Sequence, residues 1–242
     1  CTKMINQLVL LAGGKATRLR PVTETIPKSM LEVAGKPFIA HQLELVQKNA
    51  IEKVLICASF LGEQIENYVG DGSNFGLSVE YSFDGDELLG TGGAINKAKV
   101  KLDEQFFVMY GDSYLNTDFE IINEYFFAQS KPALMTVYRN KGKWDSSNVL
   151  YENGRLLKYD KVNRTTDMKH IDYGLGILSK QVFDEYDDKS VFDLAEVYGN
   201  LLEKGLLTGY EVKERFYEIG SFAGLEETDK FLREKNLIKP LE

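Results

Sequence analysis

A glycine turn flanked by cations is the part of this sequence with the clearest chemistry. The short apolar run at residues 8–11 predicts a buried strand, and Gly13 and Gly14 follow it closely. Two glycines allow a sharp turn that leaves backbone N–H groups open to the close approach of an anion. Arg18 and Lys28 add fixed positive charge beside the turn. Residues of these types, at the carboxyl end of a first strand, favour the binding of a polyphosphate.

The whole segment around this turn resembles a known nucleotide-binding signature. Residues 11–28 read LAGGKATRLRPVTETIPK. A glycine pair alone is common turn punctuation, but Thr17, Pro21 and Pro27 also fall in register with the pattern GGxGTRLxPxTxxxPKPM of the sugar-1-phosphate nucleotidyltransferases. Ala16 stands where that family has Gly, and Ser29 stands where it usually has Pro. Because the methyl group of Ala16 restricts the backbone, we expect a loop of slightly altered shape or phosphate affinity.

The resemblance implies distinct roles for the residues of this segment. The residues that it assigns to the nucleotide site are Leu11, Gly13, Gly14 and Thr17. It further implies that Arg18 holds the departing pyrophosphate and that Lys28 contacts the region of the α-phosphate.

Two carboxylates at later strand ends resemble the metal site of the same family. Asp112 ends the segment FVMYGD at residues 107–112, at the edge of the sheet where open α/β proteins bind ligands. The family aspartate of this GD motif binds the catalytic magnesium ion; its usual preceding residue is Asn, and here it is Tyr110. Glu218, in the segment FYEIGS at residues 216–221, stands where the family completes the site with Asp. The resemblance therefore implies Mg²⁺ on Asp112 and Glu218, with Glu218 reaching the ion directly or through water.

A second glycine-rich segment is expected to contact the base and the ribose. Residues 87–94 read ELLGTGGA and resemble the family motif pLGTaGA, which assigns Gly90 and Thr91 to the nucleotide site. Thr91 is also a good N-cap for a helix that runs through residues 94 and 98. Asp84 lies just before the segment, and its carboxylate offers two acceptors for the N1–H and N2–H donors of guanine. Uracil and thymine have one such donor, so Asp84 favours GTP; the alternative is an exposed turn residue.

The second half of the chain is expected to hold the acceptor. Asp160 and Lys161 stand where the family has a Glu-Lys pair, which implies that Lys161 contacts the attacking sugar phosphate and that Asp160 contacts sugar hydroxyls. The segment DYGLG at residues 172–176 resembles the family strand N-x-G-[IL]-[YG], so Asp172 and Gly174 are assigned to the sugar site. Asn148 is a further expected sugar contact.

Together these residues imply one reaction. A nucleoside triphosphate and a sugar 1-phosphate would give a nucleoside-diphosphate sugar and pyrophosphate, by in-line attack of a phosphate oxygen on the α-phosphorus. The nucleophile is already an anion, so catalysis is expected from positioning and charge neutralisation rather than from a strong general base. The sequence favours GTP with a heptose-type or mannose-type phosphate, while a uridylyltransferase or cytidylyltransferase of the same family stays open.

Two other classes of protein are weighed against this reading. One is a catalytically silent relative that binds nucleotide as a regulatory subunit, although such a sensor need not keep the full set Arg18, Lys28, Asp112 and Glu218. The other is a dinucleotide-dependent oxidoreductase. Its G-x-G-x-x-G turn needs a third glycine that is missing here, and Pro21 and Pro27 interrupt the helix that such a turn must open.

Composition limits the partners. The 242 residues include 29 basic and 37 acidic side chains, for a net charge of −8, which disfavours nucleic acid and anionic membranes as partners. No apolar run approaches the roughly 20 residues that span a bilayer, and the first residues do not read as a secretory signal. We therefore expect a cytoplasmic monomer or small homo-oligomer.

Cys57 lies in an apolar segment and is expected to be an inert buried thiol; with Cys1 it makes no disulfide framework.

Alternating strand-like and helix-like segments must position these residues. They predict an α/β protein with a Rossmann-like, mixed but mainly parallel sheet and flanking helices, and the resemblance implies the nucleotide-diphospho-sugar transferase fold. Asn153-Gly154 predicts a β-hairpin between residues 148–152 and 155–160. No linker separates the halves, so we expect one domain over residues 1–242, with 1–140 binding nucleotide and 141–242 binding the sugar phosphate.

Overall fold

A computed structural model describes residues 3–237, so Cys1 lies outside the described residues. The strands of that part are β1 Gln7–Leu11, β2 Glu32–Val33, β3 Lys36–Pro37, β4 Lys53–Ala58, β5 Ser78–Phe83, β6 Gln105–Tyr110, β7 Ser113–Tyr114, β8 Ala133–Tyr138, β9 Val149–Glu152, β10 Arg155–Tyr159, β11 Ile171–Ser179, β12 Leu207–Val212 and β13 Tyr217–Glu218. The α-helices are α1 Phe38–Lys48, α2 Gly62–Val69, α3 Gly90–Lys97, α4 Phe119–Gln129, α5 Leu194–Glu203 and α6 Phe222–Leu237.

A seven-stranded sheet in the order β12-β8-β11-β6-β1-β4-β5 forms the centre. Neighbouring strands pair in parallel, except that β11 runs antiparallel to both β6 and β8. The predicted mixed, mainly parallel sheet is therefore confirmed. Because β11 runs the other way, its first residues lie at the edge where β1, β4 and β6 end, and this edge carries the candidate site.

Helices cover both faces of the sheet, as alternating side chains of its strands require. Leu8 and Leu10 of β1 pack into one apolar cluster with residues of α1, α2 and α4. Val9 and Leu11 of the same strand pack into a second cluster with α3 and α5. Because both faces of β1 are buried, its sequence is a continuous apolar run rather than an alternating one.

Local signals in the sequence set two further elements. Pro37 immediately precedes α1, where its fixed φ and missing N–H cost a helix nothing. β9 and β10 form the predicted hairpin, and both turn residues, Asn153 (φ 50°) and Gly154 (φ 76°), are left-handed as a type I′ turn requires. Across residues 3–237, none of the helices is both long and apolar enough to cross a membrane.

Candidate active site

The loop after β1 is held in a strained shape. Gly14 has φ 109° and its N–H donates to Ser59 Oγ at 3.0 Å. Ala16 has φ 46°, in the left-handed region where a Cβ atom is unfavourable. The Thr23 hydroxyl donates to the carbonyl oxygen of Ala16 at 2.7 Å and secures the turn. A glycine, which the resemblance places at this position, would adopt this backbone conformation without the cost that the Cβ atom of Ala16 adds.

The loop forms one wall of a cavity at the carboxyl end of β1, which we call the glycine-loop cavity. Its lining residues are Leu11, Gly13, Gly14, Cys57, Asp84, Leu88, Gly90, Thr91, Ala94 and Asp193. Six of the residues assigned to the nucleotide from sequence are therefore brought together. Their register explains this, because Leu11 pairs with Cys57 of β4 on one side and with Tyr110 of β6 on the other.

Asp84 is half-buried in this cavity rather than exposed on a turn. Its Oδ2 accepts the backbone N–H of Leu89 at 3.1 Å. Burial raises the pKa of the Asp84 carboxyl, while the N–H of Leu89 and the charge of Lys97 oppose the rise. Each carboxylate oxygen has two lone pairs, so both oxygens keep acceptor capacity toward the cavity.

Thr91 corrects the sequence prediction. It is not the N-cap of α3, which begins at Gly90 with Leu89 before it. Instead, the Thr91 hydroxyl oxygen accepts the backbone N–H of Leu194, the first residue of α5, at 2.7 Å. Gly90 (φ 75°) makes this close approach possible, since a Cβ atom there would lie 2.5 Å from the carbonyl oxygen of Phe192. Thr91 thus joins α3 to α5 across the cavity.

A second cavity, of about 390 Å³, lies beside the first, and we call it the carboxylate cavity. The lining residues that were predicted from sequence are Arg18, Asp112, Asn148, Lys161, Asp172, Gly174 and Glu218. Those that sequence reasoning left out are Tyr110, Ser113, Trp144, Asp145, Arg164, Ile171, Tyr173, Phe216 and Ser221. The cavity therefore takes residues from both predicted subregions of the chain.

The two acids assigned to a metal meet because β7 pairs with β13, which sets Glu218 opposite Ser113. A Cβ atom on Gly220 would lie 2.9 Å from Glu218 Oε2 and 3.2 Å from Asp112 Oδ2. It would also lie 3.2 Å from Arg18 Nη2. Lys28 Nζ donates to Asp112 Oδ2 at 3.2 Å, so both cations from the loop after β1 reach this point.

These donors fit a magnesium ion in kind and number. Mg²⁺ is usually held by one or two carboxylates, with water and substrate phosphate completing its six ligands. Glycine at position 220 leaves open the space where the carboxylates of Asp112 and Glu218 converge. Glu218 is already oriented there, since Ser221 Oγ donates to its Oε1 at 2.9 Å and the N–H of Gly220 donates to its Oε2. Among residues 3–237, no group of three or more His, Cys, Asp or Glu side chains could hold a metal ion, so an ion on these two acids would need water and substrate as further ligands.

Asp172 is a partly buried acid in a polar network that lines the carboxylate cavity. The hydroxyls of Tyr110 and Tyr159 both donate to its Oδ2 at 3.3 Å. The N–H of Gly174 donates to its Oδ1 at 3.0 Å, where the pairing of β11 with β8 shifts register. Burial raises the pKa of Asp172, and the nearby charge of Lys161 is the main influence that opposes the rise.

Three predicted site residues line neither cavity: Thr17, Asp160 and Lys28, of which Lys28 contacts Asp112 of the carboxylate cavity. Asp160 lines neither cavity, because its carboxylate accepts the backbone N–H groups of Val162 and Asn163 at 2.9 and 2.8 Å, which lowers its pKa. Thr17 is exposed on a short 3-10 helix and also lines neither cavity. Cys57 is a buried free thiol, and burial raises its pKa to about 12, so it stays protonated.

Several lining residues had only weak signals in the sequence. Tyr110 was noticeable as a departure from the family motif, and in the structure Lys161 Nζ lies 5.4 Å from the centre of its ring. Asp193 reaches the glycine-loop cavity from a capping box at the start of α5. Trp144 is the single tryptophan of the chain. Periodicity does not reveal which distant elements share a cavity, so these residues needed the folded chain.

Comparison with known proteins gives a consistent picture. The family model described as "Nucleotidyl transferase" matches residues 7–147. N-acetylmuramate alpha-1-phosphate uridylyltransferase of Neisseria meningitidis is 30% identical over 90% of this chain and 95% of its own length. D-glycero-alpha-D-manno-heptose 1-phosphate guanylyltransferase of Campylobacter jejuni is 28% identical over 78% of this chain and 83% of its own length.

Other relatives are longer proteins. The UTP--glucose-1-phosphate uridylyltransferase of Synechocystis is 28% identical over 82% of this chain, and the chain spans 55% of that protein. Among solved structures, HddC from Yersinia pseudotuberculosis is similar with a TM-score of 0.78 and 24% identity, over 94% of this chain and all of that one. The structural likeness shows that the sheet and its helices have the nucleotide-diphospho-sugar transferase fold.

Proposed function

The chain belongs to the nucleotidyl transferase family, and from this premise we propose that it joins a nucleoside triphosphate to a sugar 1-phosphate. The products are a nucleoside-diphosphate sugar and pyrophosphate. One observation carries the proposal: two cavities open at the same edge of the sheet, Arg18, Asp112 and Glu218 line the carboxylate cavity, and Lys28 contacts Asp112. A donor and an acceptor can thus be held side by side, with the charged groups at the reacting phosphates.

In this proposal each cation has a place in the displacement. An oxygen of the sugar phosphate attacks the α-phosphorus, and the bond from that phosphorus to the bridging oxygen breaks with its electron pair leaving on pyrophosphate. Arg18 holds the departing pyrophosphate, Lys28 contacts the α-phosphate, and Lys161 orients the attacking phosphate. Two anions must approach in a protein of net charge −8. In this proposal catalysis therefore comes mainly from local cations, which position the substrates and neutralise their charge.

A divalent metal ion is generally used by this family, and we assign Mg²⁺ to Asp112 and Glu218. When bound, the ion would offset the repulsion between phosphate oxygens. Asp112 also keeps Lys28 close, through the contact at 3.2 Å. Ser221 and the N–H of Gly220 fix the orientation of the longer Glu218 side chain.

For the nucleotide we propose GTP. Asp84 is half-buried in the glycine-loop cavity, where a carboxylate is costly unless hydrogen-bond donors face it. Guanine supplies two N–H donors on one edge. The relatives include a guanylyltransferase and uridylyltransferases, so UTP and CTP are the competing outcomes of the test.

For the acceptor we propose a heptose-type or mannose-type 1-phosphate. Asn148, Asp172 and Gly174 line the carboxylate cavity together with Lys161, which provides acceptors for sugar hydroxyls and a cation for the phosphate. In this view residues 1–242 act as one domain. The nucleotide lies mainly against residues 1–140 and the sugar phosphate mainly against residues 141–242.

The proposal is tested by a matrix of reactions. Each of the four nucleoside triphosphates is incubated with mannose, heptose, glucose and N-acetylglucosamine 1-phosphates, and both pyrophosphate and the nucleotide sugar are measured. We expect equimolar products that require both substrates, with the highest kcat/KM for GTP. Nucleotide binding without product for every pair would instead support a silent regulatory subunit. A preference for UTP or CTP would overturn the guanine assignment alone.

A further inference from the structure

The single tryptophan stands at the rim of the carboxylate cavity in a costly conformation. Trp144 is 43% exposed and has φ 67°, in the left-handed region that a bulky side chain rarely adopts. It lines the cavity together with Tyr173 and Phe216. An exposed indole in strained backbone gains little for folding, so its position needs another reason.

The loop between β8 and β9 is built to hold this side chain still. Asn140 is buried, and its side-chain N–H groups donate to the carbonyl oxygens of Lys143 at 3.2 Å and Asp145 at 2.7 Å. Ser147 Oγ donates to Asn140 Oδ1 at 2.7 Å and accepts the N–H of Gly142 at 3.0 Å. These bonds clamp the residues on both sides of Trp144, so its indole does not depend on a mobile loop.

Arg215 fixes the orientation of the indole. Its guanidinium carbon lies 4.1 Å from the centre of the Trp144 ring and 4.5 Å from the centre of the Tyr217 ring. Glu227 forms an ion pair with Arg215 from α6. The rings of Tyr138 and Phe216 contact Trp144 at centroid distances of 6.1 Å each. The arginine lies over the indole ring, and Trp144 remains 43% exposed and lines the carboxylate cavity.

We infer that Trp144 is a specificity-determining residue, the aromatic wall against which the C–H face of the acceptor sugar packs. C–H groups on carbons that bear oxygen are polarised positively, and they are attracted to the negative face of an aromatic ring. Asn148 and Asp172 line the same cavity and offer acceptors for hydroxyls, while Lys161 and Arg164 offer cations for the phosphate. A sugar phosphate presents all three matching groups: a C–H face, hydroxyls and a phosphate. The inference rests on the proposed function and adds the ring as the element that selects the sugar.

The first test uses fluorescence, because selective excitation of indole reports on this one tryptophan and not on the 13 tyrosines. Sugar 1-phosphates are titrated into the protein with and without a GTP analogue that carries carbon between the α-phosphorus and β-phosphorus. We expect a saturable change in Trp144 emission on addition of sugar 1-phosphate, and little change with inorganic phosphate. Saturable binding seen by calorimetry without any change in emission would overturn the inference.

The second test separates acceptor binding from folding. Trp144→Ala should raise the KM for the sugar phosphate about tenfold or more while the KM for the nucleotide stays within about twofold, as loss of an aromatic contact of 1.4 kcal/mol or more implies. Trp144→Phe keeps a ring and should restore the acceptor KM to within about threefold. Tyr68→Ala, an exposed aromatic that lines neither cavity, is the matched control. An unchanged acceptor KM in Trp144→Ala, or no rescue by Phe, would contradict the inference.

The two proposals fail in different ways. If the wild-type protein forms no nucleotide sugar from any pair, the proposed function is wrong, yet the fluorescence titration still reports whether sugar phosphates reach Trp144. If transfer occurs but the indole does not affect the acceptor KM, the proposed function stands and the aromatic wall is wrong.

Discussion

At the scale of single residues, burial works against the charge of Asp172. Its carboxylate accepts hydrogen bonds from two tyrosine hydroxyls and one backbone N–H, yet removal from water still raises its pKa. A structure that keeps such a group has accepted a cost in stability. Ionisable groups with a shifted pKa cluster at functional sites, which supports the proposed place of Asp172 in the acceptor site.

The raised pKa of Asp172 gives a pH prediction. A carboxyl whose pKa is higher in the folded state binds its proton more tightly there, so its contribution to stability is present below the unfolded pKa of about 3.9. That contribution is lost as pH rises through the folded pKa. The free energy of unfolding of wild type relative to Asp172→Asn should therefore fall as pH rises above about 4, which urea unfolding at several pH values measures.

Asp160 supplies the opposite control. Its pKa is lowered by the N–H groups of Asn163 and Val162, so its contribution is present above the unfolded pKa and is lost as pH falls through the folded pKa. As pH rises, the free energy of unfolding of wild type relative to Asp160→Asn should increase or stay constant, whereas that relative to Asp172→Asn should decrease. The difference in free energy of unfolding between wild type and variant should thus change with pH in opposite directions for Asp172→Asn and Asp160→Asn. The same direction for both variants would contradict the assignment of a raised pKa to Asp172.

Asp84 gives a prediction about base choice. Asp84→Asn keeps one acceptor oxygen but places an N–H₂ donor where a guanine donor would lie. A lost paired contact to a base is worth about 1–3 kcal/mol of discrimination. The ratio of kcat/KM for GTP to that for UTP should thus narrow about tenfold or more, with the acceptor KM little changed. Asp86→Asn, an exposed neighbour in the same turn, should leave the ratio as it is. Equal ratios in both variants would exclude Asp84 from base recognition.

At the scale of elements, Thr91 links α3 to α5 and does not cap α3, the helix to which it belongs. Its hydroxyl accepts the N–H of Leu194, and the two residues are 103 positions apart. Thr91→Val keeps the shape of the side chain but leaves that N–H without its acceptor. We expect a loss of about 1–2 kcal/mol in the free energy of unfolding. Thr91→Ser keeps the hydroxyl and should lose clearly less, and equal losses in chemical denaturation would show that the hydrogen bond is unimportant.

The elements also show how far the sequence can be interpreted. Local signals worked: the Asn-Gly turn, Pro37 before α1 and the continuous apolar run of β1 all specify structure within a few residues. The Asp160 turn was within reach of the same reasoning, because Asp often binds the N–H groups two and three residues ahead. The partner of Thr91 was not within reach, since nothing near Thr91 in the chain indicates α5.

At the scale of the whole molecule, the topology explains why distant residues share one site. β1, β4 and β6 end at one edge of the sheet, and the antiparallel strand β11 begins there. Arg18, Asp112 and Asp172 are thereby brought to a single edge from three different parts of the chain. The sequence predicted the edge from its strand pattern, but the contact of Trp144 with Phe216 at the carboxylate cavity depends on the packing of loops that are distant in the chain.

The central claim is that this edge catalyses nucleotidyl transfer with Asp112 at its charged centre. The measurement is turnover of GTP and a sugar 1-phosphate by wild type and by Asp112→Asn, each with and without Mg²⁺. Circular dichroism checks that the variant remains folded. We predict Mg²⁺-dependent turnover by wild type and a loss of several orders of magnitude in folded Asp112→Asn. Full activity of Asp112→Asn, or wild-type turnover without any divalent cation, would contradict the account.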